Sequence, residues 1–173
     1  MTEPGRDLEQ CPDEFTAAHR AGMETRRTDQ DRTLAAVHEL EAALSSAAPG
    51  REPSWRTDVA RALAVLDDAT TEEQRNAAQP DSMLSDIART QPRLRTRVRG
   101  LRATYEQLRD TIAALSDEMA EGDDVDDVDD LRRRAAWLLT AVRHQRARES
   151  DLIYEAYYEA FHRDLEVDAR SQP

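Results

Sequence analysis

The sequence predicts an all-α protein, an up-down-up-down four-helix bundle, on three observations. Among its 173 residues are only five Gly and two Phe, against abundant Ala, Leu, Arg and Glu, a composition that favours helix over strand. Apolar residues recur at alternating steps of three and four, twice for more than seven turns, which is the pattern of a bundle seam. Turn-forming or strongly acidic segments separate these stretches, so neighbouring rods are joined by short connections and run antiparallel.

The elements follow in order. Residues 1–12 are polar and aperiodic and are read as a flexible tail, with the bundle occupying 13–162 and a second tail at 163–173. A first helix is expected from Asp13 to Ala47, with Met23, Gln30, Leu34, Val37, Leu40 and Leu44 near one face. The Ala-Pro-Gly-Arg-Glu-Pro stretch at 48–53 ends it, and Ser54 is the expected N-cap of a second helix whose apolar side is Trp55, Val59, Leu63, Leu66 and Thr70. Asp81 is expected to cap a short helix carrying Met83, Leu84 and Ile87.

Pro92 suits the first turn of the third long helix, whose stripe is Leu94, Val98, Leu101, Tyr105, Leu108, Ile112, Leu115 and Met119. An acidic loop, EGDDVDDVDD, precedes the fourth, with Leu131, Ala135, Leu138, Val142, Gln145, Glu149, Leu152 and Ala156 on its seam. Aspartates ahead of a helix complement its positive end, and this loop lacks the central Gly and terminal Glu of an EF-hand.

Charge and composition exclude several classes. With 36 acidic and 24 basic residues the formal charge is −12, which repels phosphate backbones, so no nucleic-acid partner is expected. The basic residues are all Arg, a usage that fits a GC-rich genome and is no sign of phosphate recognition. One cysteine, Cys11, forbids an internal disulfide and a tetrathiolate zinc site. No apolar run approaches a membrane span and no signal peptide is evident, so a cytoplasmic location without membrane partner is the expectation. Phosphate-cradling Gly loops, nucleotide fingerprints and Ser-His-Asp arrangements are missing from the sequence, and no catalytic residue is assigned.

Function is therefore sought where polar residues interrupt the stripes. Gln30 does so on the first helix, Gln74 beside Glu73 on the second, Tyr105 on the third, and Gln145 and Glu149, next to His144, on the fourth. In antiparallel helices of similar length these breaks either reach water at the stripe edge or meet at one level as a central polar site. A carboxylate such as Glu149 in that core must find a cation or a hydrogen-bond network, or protonate.

The stretch RRRAAWLLTAVRHQRARESDLIYEAYYEAF at 132–161 resembles the last helix of the hemerythrin family in its bacterial HHE-domain form, in which a His is followed five residues later by a carboxylate, here His144 and Glu149. LRATYEQLRDTIAAL at 101–115 is similar to that family's third helix and TDQDRTLAAVHELEAAL at 28–44 to its first, so the resemblance spans about residues 26–162. It implies a non-haem di-iron centre that binds dioxygen or nitric oxide or senses redox state. At the aligned ligand positions, however, stand Gln30, Gln74 and the pair Tyr105 and Arg109. Iron is thus the implied metal, a full di-iron centre is not expected, and a reduced set would be His144, Glu149, Tyr105 and a carboxylate from Glu72 or Glu73. The preferred reading is a bundle with a degraded metal site serving as a regulatory or interaction module; the alternative is a non-haem iron protein.

Two further expectations follow. Arg109, one turn after Tyr105, replaces an imidazole of the resembled family, so it either pairs with Glu149 in place of the metal or turns to solvent while Glu149 pairs with a neighbour such as Arg146. Tyr154, Tyr158 and Phe161 share a face at the end of the fourth helix, as core packing or as a patch for a protein partner. His19, His38 and His162 are read as solvated or edge residues.

Overall fold

The computed structural model describes residues 11–46, 50–121 and 128–170, with side chains described for 17, 20–46, 50–120 and 128–157. Its elements are α1 (Cys11–Ser45), α2 (Glu52–Ala78), the short α3 (Met83–Thr90), a 3-10 turn at Pro92–Leu94, α4 (Arg95–Glu121) and α5 (Val128–Arg170). Four long helices pack as a ring in which α1 meets α2, α2 meets α4, α4 meets α5 and α5 returns to α1, while α3 packs at one end. This is the all-α four-helix bundle that the stripes predict. Among the described residues, no helix is long and apolar enough to cross a membrane.

The two cleanest stripes are buried throughout. Leu94, Val98, Leu101, Tyr105, Leu108, Ile112, Leu115 and Met119 of the 3-10 turn and α4 face inward, as do Leu131, Ala135, Leu138, Val142, Gln145, Glu149, Leu152 and Ala156 of α5. On α2 the expected Trp55, Val59, Leu63, Leu66 and Thr70 are buried and the face continues to Glu73. Complete burial of a Leu such as Leu138 contributes about 1.5–3 kcal/mol, so the seams supply most of the packing energy.

α1 differs from the expected register. Leu34 is 41% exposed and Met23 61% exposed, whereas Asp29, Thr33 and Ala36 are buried beside Val37, Leu40 and Leu44. The inward face therefore carries polar residues along its first half, where an apolar count sees no stripe. Helix boundaries also shift. α2 begins at Glu52, with Pro53 in its first turn, and Ser54 donates to the Arg51 carbonyl instead of capping. Ser82, not Asp81, caps α3 by accepting from the Ser85 N–H at 3.2 Å. Gly50, with φ of 73°, lies in the left-handed region that Gly adopts without strain, which reverses the chain between α1 and α2.

α5 continues as helix to Arg170, past the expected end of the bundle at 162. Residues 1–10 of the expected N-terminal tail, most of the acidic loop and residues 171–173 lie outside the described residues, as do the side chains of Tyr158, Phe161, His19 and His162.

Two apolar clusters make the core. The larger joins α1, α2, α4 and α5 from Ala36, Leu66, Ile112 and Leu138 outward. The smaller lies at the α3 end and contains Leu84, Ile87, Leu94, Val98, Leu101, Leu152, Ile153 and Ala156. On α4, Tyr105 falls between Leu101 of one cluster and Leu108 of the other; on α5, Gln145 and Glu149 fall between Val142 and Leu152. A polar layer thus divides the core.

Candidate functional site

The polar layer draws residues from all four long helices. Thr33 on α1 donates its hydroxyl to Glu73 Oε2 on α2 at 2.6 Å, and Glu73 Oε1 lies 3.1 Å from the Tyr105 hydroxyl on α4. That hydroxyl is also 2.6 Å from Glu149 Oε2 on α5. The other Glu149 oxygen accepts from Arg26 Nε of α1 at 3.3 Å, which closes the chain. Arg26 also donates to the Ser150 hydroxyl at 2.8 Å, and with the Gln30 amide turned so that its oxygen faces the guanidinium, that oxygen accepts from it at 2.6 and 3.1 Å.

Hydrogen count decides the direction of the central bonds. A phenol has one proton for two carboxylates, and the shorter contact assigns it to Glu149. Glu73 then faces a phenol oxygen, and a proton on Glu73 would be donated back to it. Burial pushes the Glu73 carboxyl above its ordinary range, against the opposing pull of the Thr33 bond, and the neighbouring Glu149 charge adds to the rise. Burial, with both carboxylates beside it, pushes the Tyr105 phenol far up, so it stays a hydrogen-bond donor.

The expected site residues divide accordingly. Glu73, Tyr105 and Glu149 come together, and Gln145 is buried one turn before Glu149, where its amide donates to the Leu101 carbonyl at 2.9 Å and its oxygen has no partner. Gln30 joins the edge of the layer through Arg26. Gln74 is half-buried and accepts from Arg109 at 3.3 Å; Arg109 itself is exposed and does not reach Glu149. Arg146, the other candidate partner for Glu149, donates instead to the Gln30 backbone carbonyl at 2.8 Å. The pairing of Glu149 with Arg109 is therefore corrected to a pairing with Arg26. His144 is exposed, because α5 turns its seam through Gln145 and Glu149 and leaves the preceding residue about 100° away.

Three residues of the layer escaped the sequence reading: Arg26, Asp29 and Thr33. Extending the α1 stripe backward from Leu44 through Leu40 and Val37 at alternating steps of four and three reaches Thr33, Gln30 and Arg26, so the spacing held a signal for Thr33 and Arg26, while Asp29 falls outside the series. That signal was hidden because these positions are polar.

The implied iron does not fit this donor set. Glu149 already faces a fixed cation, Glu73 and Tyr105 are engaged with each other and with Thr33, and the one nearby imidazole points to solvent. Among the described residues no three His, Cys, Asp or Glu side chains are grouped to share an ion.

A cavity of about 300 Å³ opens beside the layer, between the first half of α1, the end of α2 and the start of α3. Asp29, Glu73, Glu149 and Arg26 form its polar wall and Met83 and Leu84 part of its apolar wall. Asp29 accepts from the Asn76 amide, 3.0 Å from each carboxylate oxygen, and burial raises its carboxyl above the ordinary range although the Asn76 bond opposes the rise. The site defines a helical bundle with a buried, ion-paired carboxylate and phenol chain at its waist. Comparison of the chain with family profiles, with curated proteins and with solved structures yields no match.

Proposed function

We propose that this protein is a hemerythrin-like bundle whose metal site has been replaced by side chains, and that it serves as a non-catalytic regulatory or interaction module. The observation that carries the reading is the Arg26 guanidinium at 3.3 Å from Glu149, with Tyr105 and Glu73 completing the chain at the same level. In the resembled family a metal would neutralise carboxylates at this position; here a side chain supplies the positive charge. A cation covalently fixed in the bundle makes the layer a permanent structural register, not a redox centre. On the outside of α5, Trp137 and Tyr154, 63% and 69% exposed, each offer aromatic surface of the kind protein partners use.

Metal analysis tests the replacement. Protein purified under reducing, iron-replete conditions is expected to hold less than one iron per chain and to lack near-ultraviolet oxo-to-iron bands. Stoichiometric binding of two irons, abolished by Glu149→Ala, would overturn the reading.

A further inference from the structure

We infer that the cavity beside the polar layer is a binding site for a small primary alkylammonium group, with its charge against Asp29 and its aliphatic stem on Met83 and Leu84. Three properties of the cavity lead there. Its volume, about 300 Å³, lies at the small end of ligand pockets and suits a short unbranched molecule. Its lining is mixed, with carboxylates beside the apolar Met83, Leu84, Ala21 and Ala77. Its hydrogen-bonding capacity is one-sided.

That imbalance fixes the ligand's charge. The side-chain nitrogen donors at the wall are already engaged with the protein, Arg26 with Glu149, Ser150 and Gln30, the Asn76 amide with Asp29 and the Gln79 amide with the Arg75 carbonyl, and the Ser82 hydroxyl donates to the Ala77 carbonyl at 2.8 Å. Acceptors remain, since a carboxylate has about four lone-pair sites and Asp29 receives a single amide plus a distant Arg32 at 3.9 Å. A ligand that donates finds its acceptors here, and four carboxylates, Asp29, Glu73, Asp81 and Glu149, against one half-buried guanidinium favour a cation. The carboxylates are not grouped for a shared metal ion, whereas an ammonium carries three donors on a stem that the apolar wall can cover. The protein's own basic residues are all Arg, so no lysine of this chain can fill the site.

Titration of the full-length protein with n-butylammonium, followed by nuclear magnetic resonance at physiological ionic strength, tests the inference. Saturable binding is expected, with shifts confined to amides around Gly22, Asn76 and Ser82, and no comparable binding of 1-butanol or butyrate. Asp29→Asn, which keeps an acceptor for Asn76, should weaken binding about tenfold, the equivalent of losing one charge-assisted contact. Thr25→Trp, at an exposed position on the cavity rim, should block it while leaving the melting curve unchanged. A lysine derivative blocked at both termini separates the two sources of this chemistry: binding equal to butylammonium assigns the site to a partner's lysine, and failure to bind assigns it to a free amine. The inference is overturned if butylammonium does not saturate, if 1-butanol binds as well, if equimolar magnesium displaces the amine, or if neither variant weakens binding.

Discussion

Arg26 and Glu149, 123 residues apart in the chain, meet with Nε 3.3 Å from Oε1, and their side chains are 22% and 7% exposed. The guanidinium enters from α1 at the boundary between the layer and the cavity, so it is partly hydrated while the carboxylate is not. Removing it leaves Glu149 with the Tyr105 bond alone. Arg26→Met is therefore expected to lower stability by about 2–3 kcal/mol, the range for a charged hydrogen-bonded partner, and Arg26→Met/Glu149→Gln to recover part of that loss. Arg109→Met, at an exposed position, should change stability by less than about 0.5 kcal/mol. Urea melts of the three variants check the contrast; equal effects of the Arg26 and Arg109 changes would contradict the ion pair.

Tyr105 holds the layer together from the opposite side. Its ring packs between the two apolar clusters and its hydroxyl serves both carboxylates, so Tyr105→Phe removes a proton donor without opening a cavity. Stranding a buried carboxylate of one donor costs about 1–3 kcal/mol. A loss in that range in Tyr105→Phe, with helix content by circular dichroism unchanged, is the expected result. The same substitution in a Glu73→Gln/Glu149→Gln background should cost clearly less, because amides bond one another across the gap.

How much of this was legible depends on what each helix buries. α4 and α5 bury apolar residues nearly everywhere, so the positions that alternating steps of three and four picked out from Leu94 to Met119 and from Leu131 to Ala156 are all buried, with Leu139 and Ile153 of α5 buried beside them. The same rule marked Tyr105, Gln145 and Glu149 as interruptions and offered Glu73 as a candidate. On α1 the rule followed Leu34 and Met23 to the outside, because Asp29 and Thr33 are buried by their partners on α2, not by hydrophobicity. A polar residue satisfied across a helix interface leaves no periodic apolar trace. His144 shows the opposite error: its identity fitted the resembled ligand pattern, but its position one residue before Gln145 put it outside the seam.

Protonation of Glu73 gives the layer a pH dependence with a definite sign. Its folded pKa is raised above the ordinary value of 4.5, chiefly by burial, so the folded state holds this proton more tightly than the unfolded chain. The associated stability is fully present below pH 4.5 and is lost as pH rises through the folded pKa. Glu73→Gln resembles the protonated form and has no such loss. Relative to wild type, the variant is expected to gain stability as pH is raised from about 4.5 through the folded pKa, in line with that linkage. Paired thermal melts across that range isolate the effect from other carboxylates, and a difference that shrinks with rising pH would refute it.

Gln145 is the one member of the layer whose removal should not hurt. It is 2% exposed, its amide nitrogen donates to the Leu101 carbonyl at 2.9 Å, and its oxygen is buried without a partner. Leu101 lies inside α4, where a main-chain carbonyl already belongs to the helical ladder, so the Gln145 bond is a second one to that oxygen. An orphaned buried oxygen costs about 1–3 kcal/mol, and the single bond made by the amide returns about 0.5–1.5 kcal/mol. Gln145→Met fills similar volume without polar atoms and is accordingly expected to leave stability unchanged or raise it by about 1 kcal/mol. The comparison with Leu138→Ala, a fully buried position where about 2–5 kcal/mol should be lost, sets the scale on the same helix. A loss in Gln145→Met that approaches the Leu138→Ala value would mean that the Gln145 oxygen is satisfied in solution and that the layer extends across α5 to it.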